Sequence, residues 1–178
     1  MILKRFFQRS LSPERSVYEA IVAAARHPSF YTGMAVADTI DGRFDMISLH
    51  AFLVLDRLKG AEPAFRQALV DELFRDMDRS LREMGVGDIS VGKKVRKMAE
   101  VFYGRVTAYD RALVEGGDTL ENAISRNVFP GETVSESALL LADYVRHQRA
   151  HLARQSPAAI AGGVVQFDTP GPIKEPSP

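Results

Sequence analysis

Cysteine and tryptophan are both missing from the 178 residues. The first absence removes disulfides, thiolate metal sites and thiol catalysis, and it suits a reducing compartment. Long apolar runs are missing too. A membrane-spanning helix needs about 20 consecutive apolar residues, whereas the stretch from Leu49 to Leu58 is shorter and is broken by His50, Asp56 and Arg57. Neither sign of charge is in excess: Lys+Arg and Asp+Glu both number 23. No global field therefore favours DNA or another polyanion. The opening residues Met1 to Arg9 are basic and apolar, but the apolar core and small-residue cleavage site of a secretory signal do not follow. The chain reads as cytoplasmic. Alternation of apolar and polar residues never persists beyond about four positions, which leaves strands without support.

What is present is helical periodicity in a composition of 46% hydrophobic and 26% charged residues, typical of an ordinary globular domain. Ser12-Pro13 is a cap and first-turn pair, and Tyr18, Ile21, Val22 and Ala25 recur on one face up to His27-Pro28. Tyr31 to Asp41 is ambiguous. Asp45 reads as the N-cap of a helix that is apolar nearly all round, from Ile47 to Leu58, and such a helix belongs at the centre of a core. His50 within it reads as a satisfied core residue. Pro63 opens a helix with Phe65, Leu69, Leu73, Met77, Leu81 and Met84 on one face, and Gly85 closes it. Ser90 reads as the cap of a helix carrying the seam Val95, Ala99, Phe102, Val106, Tyr109 and Leu113, stopped by Gly116-Gly117. Asp118 is expected to cap a shorter helix, and Ser135 a last one running to about Gln155. The expected fold is all-α. It is a single compact domain of about six or seven helices over residues 12–155, after a basic amphipathic arm over 1–11 and before a Pro/Gly-rich mobile tail over 156–178.

The segment between the two longest patterned helices carries the most information. Gly87 to Lys93 has the spacing G-x-x-x-x-G-K of a phosphate loop, but Lys94 stands where a magnesium-holding hydroxyl belongs and no strand precedes it. As a helix–helix corner, the segment explains Gly85 and Gly87. It leaves Gly92, placed in a helical first turn at a cost of up to about 1 kcal/mol, to a close backbone approach or to a surface kept flat for a partner. Lys93, Lys94, Arg96, Lys97 and Arg105 cluster around only Asp88 and Glu100, either as a solvated face or as a binding face for an acidic or flexible protein segment. RNA is a weaker fit, since Phe102 falls on the core seam. His147 and His151 share a helix face but lack the glutamate of a metalloprotease motif, and read as part of a solvated basic face. No nucleophile–base constellation appears, so no enzyme activity, metal or cofactor is expected.

Several ordered motifs resemble one family: YTGMAVADTIDGRFD (Tyr31 to Asp45), ISLHAFL (Ile47 to Leu53), FRDMDRSLREMGVGD (Phe74 to Asp88), VGKKV (Val91 to Val95) and FYGRVTAY (Phe102 to Tyr109). Residues about 30–115 are similar to the ubiquinol–cytochrome c chaperone family. The resemblance implies a non-catalytic assembly factor for respiratory complex III that acts on newly made cytochrome b, with a small partner protein and near the ribosome. A chaperone for a membrane protein needs a surface that holds an amphipathic segment reversibly, and helix-in-groove contact is the natural mode for a helical scaffold. The motif-bearing face supplies the expected contacts: Asp38, Arg43, Asp76, Asp78, Arg82, Asp88, Lys93, Lys94, Tyr103 and Arg105. Met77, Met84, Ile89 and Met98 supply adaptable apolar surface. Two competing readings are a small-hydrophobe cavity beneath His50 and Tyr31, and a scaffold held at the inner membrane surface by Met1 to Arg9.

Overall fold

The computed structural model of the chain describes residues 11–114, 119–131 and 134–171. Among these residues the regular elements are helices: α1 (Pro13–Ala25), α2 (Pro28–Thr32), α3 (Ile40–Arg57), α4 (Pro63–Glu83), α5 (Asp88–Val114), α6 (Leu120–Val128), α7 (Glu136–Ala153) and α8 (Pro157–Ala161). The all-α expectation holds. α2 and α8 are short helices of five residues each; the longer six are those the periodicity reveals.

α3 is the axis, and every residue from Phe44 to Leu55 is buried, as an all-round apolar helix requires. α1, α5, α6 and α7 pack on it directly, while the pairs α1–α4, α4–α5, α5–α6 and α6–α7 close a sheath around it. His50 sits at its middle with no exposed surface. Its Nδ1–H donates to the Met46 carbonyl at 2.7 Å, and its Nε2 accepts from the Tyr144 hydroxyl at 2.7 Å. A carbonyl only accepts, so the proton is on Nδ1. The rings of Phe30, Tyr144 and Phe167 surround it at 5.5, 5.6 and 5.3 Å. Burial lowers the imidazole pKa to about 4, so it is neutral at pH 7. This is the satisfied core histidine that the pattern suggested.

The helix starts differ from expectation. Thr39, not Asp45, caps α3; its hydroxyl accepts from the Gly42 N–H at 3.1 Å. Asp45 lies inside the helix and is buried. The ambiguous stretch thus resolves into α2, a loop and the first turn of α3. α5 begins at Asp88, so Ser90 is in its first turn rather than at its cap, and the Gly87 carbonyl accepts from the Ser90 and Val91 N–H groups. Thr119, not Asp118, caps α6 through the Asn122 N–H at 3.2 Å. Ser12 occupies the N-cap of α1 without a side-chain capping bond. The Met1–Arg9 arm and Gly116 to Asp118 lie outside the described residues.

The entry to α3 is tight. A Cβ on Gly42 would stand 2.0 Å from the Ala37 carbonyl oxygen. Gly42→Ala must displace the loop that feeds the central helix, with an expected loss of about 1–3 kcal/mol. Thermal unfolding measures it, and a melting temperature equal to the parent's would show that the loop yields freely.

The C-terminal expectation is corrected over residues 156–171. Ile160 of α8 is buried and Val165 and Phe167 pack against the core. The Gln148 amide donates to the Asp168 carbonyl at 2.8 Å and accepts from its N–H at 3.1 Å. The apolar residues of this strap act through long-range contacts, which its Ala, Gly and Pro content conceals. Residues 172–178 lie outside the described residues.

Candidate functional site

α4 ends in a Schellman motif. Gly85 has φ +80°; its N–H bonds the Arg82 carbonyl at 2.9 Å and the Val86 N–H bonds the Leu81 carbonyl at 3.0 Å. Only glycine takes this conformation without penalty. The corner turns the chain into α5, leaving a groove between the start of α3, the end of α4 and the first half of α5, about 1020 Å³ in volume.

Each helix contributes side chains three and four apart, hence from one face: Ile40, Phe44 and Ile47 of α3; Met77, Leu81 and Met84 of α4; Lys94, Met98, Val101 and Arg105 of α5. Phe44, Ile47 and Leu81 are buried, while Ile40 and Met84 stand more than half exposed at the rim. Arg26, Arg43, Lys94, Lys97 and Arg105 outnumber Asp41 and Asp45 along the walls. A chain of no net charge therefore presents a locally cationic groove.

An ionic contact lies at the groove floor. Arg105 Nη2 is 2.5 Å from Asp45 Oδ1, with side chains 13% and 8% exposed. Arg105 Nη2 also donates to the Asn127 carbonyl at 3.3 Å, and the guanidinium stands 5.7 Å from the Phe44 ring centre. The Asp45 contact is a charge contact without hydrogen-bond alignment. Among the described residues Asp45 Oδ1, Arg105 Nε and Nη1, Ser48 Oγ and the Tyr109 hydroxyl have no hydrogen-bond partner. Desolvation pushes the Asp45 carboxyl up to about 6, against the downward pull of Arg105. Burial also pushes the Tyr109 hydroxyl up.

The sequence-derived site residues divide into groups. Arg43, Lys94 and Arg105 line the groove, as do Met77, Met84 and Met98. Asp38 pairs with Arg43 at 2.7 Å, and this contact lowers the Asp38 pKa. Arg82 bridges Asp78 and Asp88 and so braces the corner. Asp76 is engaged by α1, accepting from the Tyr18 hydroxyl at 2.8 Å with Arg15 at 3.5 Å. Lys93, Tyr103 and the 85%-exposed Ile89 are outside the groove lining. A helix starting at Asp45 leaves out Ile40 and Phe44 and puts Asp45 at a cap, and Ile47 falls among apolar positions on all sides, so none of the four stands out in the sequence as a groove residue. The 94, 98, 101, 105 spacing was the signal available.

Further expectations are resolved. A Cβ at Gly87 or Gly92 would meet nothing within 4 Å, so no backbone approaches Gly92 and that face is open. The space beneath His50 is filled by aromatic rings rather than left for a small hydrophobe. His147 and His151 lie 3.8 and 2.9 Å from Asp168: His147 is 64% exposed, on a solvated face as expected, while the 18%-exposed His151 is turned toward the strap. Among the described residues, no group of three or more His, Cys, Asp or Glu side chains is placed to hold a metal. Nor is any helix long and apolar enough to cross a membrane.

Comparison with known proteins adds to this geometry. The profile of the ubiquinol-cytochrome C chaperone family matches residues 32–167. The ubiquinol-cytochrome-c reductase complex assembly factor 1 of Xenopus laevis is 25% identical over 136 residues, covering 74% of this chain and 68% of that protein. Protein CBP3, mitochondrial, of Saccharomyces cerevisiae is 28% identical over 151 residues, covering 80% and 45%. The mouse assembly factor 1 is 26% identical over 140 residues, and the chain spans about half its length, 48%. The crystal structure of the Cbp3 homolog from Brucella abortus is 43% identical, covers 88% of each chain and superposes with a TM-score of 0.77.

Proposed function

Because the chain belongs to the ubiquinol–cytochrome c chaperone family, we propose that it is a complex III assembly factor whose α3–α4–α5 groove holds an amphipathic segment of newly made cytochrome b. The groove carries this reading. Its volume of about 1020 Å³ just exceeds the ~300–1,000 Å³ range of small-molecule sites, and it is open to solvent rather than enclosed. Its apolar walls hold three methionines, whose unbranched side chains conform to more than one occupant. The cations along the walls orient a segment with acidic or carbonyl groups. Arg105 at the floor adds a further positive charge to these walls. Holding and releasing a segment requires no bond to be made or broken, so the role is non-catalytic.

Substituting Met84 and Met98 by glutamate places two anions in this groove at positions that are not fully buried. A tagged M84E/M98E variant, expressed in the cells that make the chain, is expected to retain its circular dichroism. It should co-purify at least about tenfold less cytochrome b, the scale of losing two anchors of an interface. Undiminished capture by the folded variant would remove the groove from the mechanism.

A further inference from the structure

The first half of α5 has a second face, turned away from the groove. Ile89, Lys93 and Arg96 follow at i, i+4 and i+7 on it. Ile89 is 85% exposed, the most exposed large apolar side chain among the described residues. Lys93 and Arg96 are exposed, and neither has an acid partner among the described residues. This contrasts with α4, where Arg75, Arg79 and Arg82 each engage a carboxylate. The nearby acids are already occupied: Asp88 by Arg82, and Glu100 by Lys97 at 3.3 Å. Gly92 lies between Ile89 and the two cations with open space above it, so a flat surface can come down to the helix backbone. Tyr103, 51% exposed, lies about 21 Å further along the axis at 1.5 Å per residue.

We propose that this face docks on an anionic lipid surface, with Ile89 entering the acyl boundary and Lys93 and Arg96 contacting headgroup phosphates. A protruding aliphatic flanked by unpaired cations, on a single helix without a groove beside it, matches a plane of negative charge over soft hydrocarbon. Peptide recognition by a helical domain uses a concave surface, and here the concave surface is on the other side of the helix. Lys94 and Lys97 join the two faces. Because this face and the groove lie on opposite sides of α5, docking turns the groove away from the headgroups; lipid binding does not rest on the chaperone reading.

The test is co-sedimentation of the full chain with phosphatidylcholine vesicles, with and without phosphatidylglycerol. Binding is expected only to the anionic vesicles and should weaken as salt screens the charges. Each cation near the surface contributes about fivefold, so K93E/R96E is expected to lower partitioning by at least about tenfold. Ile89→Ser should lower it several-fold without changing the salt dependence. M98E should bind vesicles like the parent even where it has lost cytochrome b, which separates this proposal from the groove reading. The proposal is overturned if the chain ignores anionic vesicles, if folded K93E/R96E binds them undiminished, or if K4E/R5E in the N-terminal arm alone abolishes binding. Vesicle binding unchanged in K93E/R96E together with loss of cytochrome b would instead assign the face to a protein partner.

Discussion

Arg105→Leu is expected to cost about 3–5 kcal/mol of folding free energy at neutral pH, the usual penalty for stripping one partner from a buried ion pair. Asp45 is 6% exposed and keeps its charge in that position largely through Arg105. Without the guanidinium, the carboxyl either remains as an isolated buried anion or takes up a proton, and both are unfavourable at pH 7. The penalty should shrink as the pH falls, because protonation then costs less. Adding Asp45→Asn should recover a large part of it, since the uncompensated charge is gone. Urea unfolding at several pH values measures all three variants. A loss below about 1 kcal/mol would place the pair in the surface class and show that water reaches the floor of the groove.

The second large effect joins Asp45 to His50. The imidazole has a folded pKa of about 4 against an ordinary value near 6.5. The unfolded chain therefore binds the proton first, and stability drains away as pH falls from about 6.5 to 4, by about 3 kcal/mol. Asp45 runs the other way. Its folded pKa of about 6 exceeds the ordinary carboxyl value near 3.9, so the folded chain binds the proton first. Stability rises as pH falls through 6 and levels off near 4, again by about 3 kcal/mol. The two contributions oppose each other in one window. Measured as differences from the parent, so that all other groups cancel, Asp45→Asn should become steadily less stable between pH 6.5 and 4. His50→Gln, which keeps an acceptor for Tyr144, should become relatively more stable over the same range. Curves that run parallel to the parent would show that neither group titrates in that window.

The helical layout was legible because it depends on periodicity. α3 declared itself by being apolar on all sides, α4 by a single seam, and the α4–α5 corner by Gly85. The misread start of α3 has a physical cause. Asp45 before an apolar run has the local signature of a cap, but its partner is Arg105, sixty residues away. No local pattern reveals that contact, and a start at Asp45 leaves out Ile40 and Phe44 of the groove wall. Asp76 likewise carries no local sign of the Tyr18 and Arg15 contacts that reach it from α1. Lys94, Met98 and Arg105 were recoverable because they lie on one stripe of one helix, whereas the concavity they line needs three helices in place.

The strap has a consequence for how the chain is made. The pocket around His50 has walls from α2, α3, α7 and Phe167, and Phe167 is fixed by the clasp between Gln148 and Asp168. Synthesis runs from the N-terminus, so α3 leaves the ribosome long before its last wall exists. The early helices can pair as they emerge, but the centre stays unsealed until residue 168 has been delivered. Completion of this core thus waits for the strap, and a break in the chain between α8 and Val165 would act on it as a core mutation does.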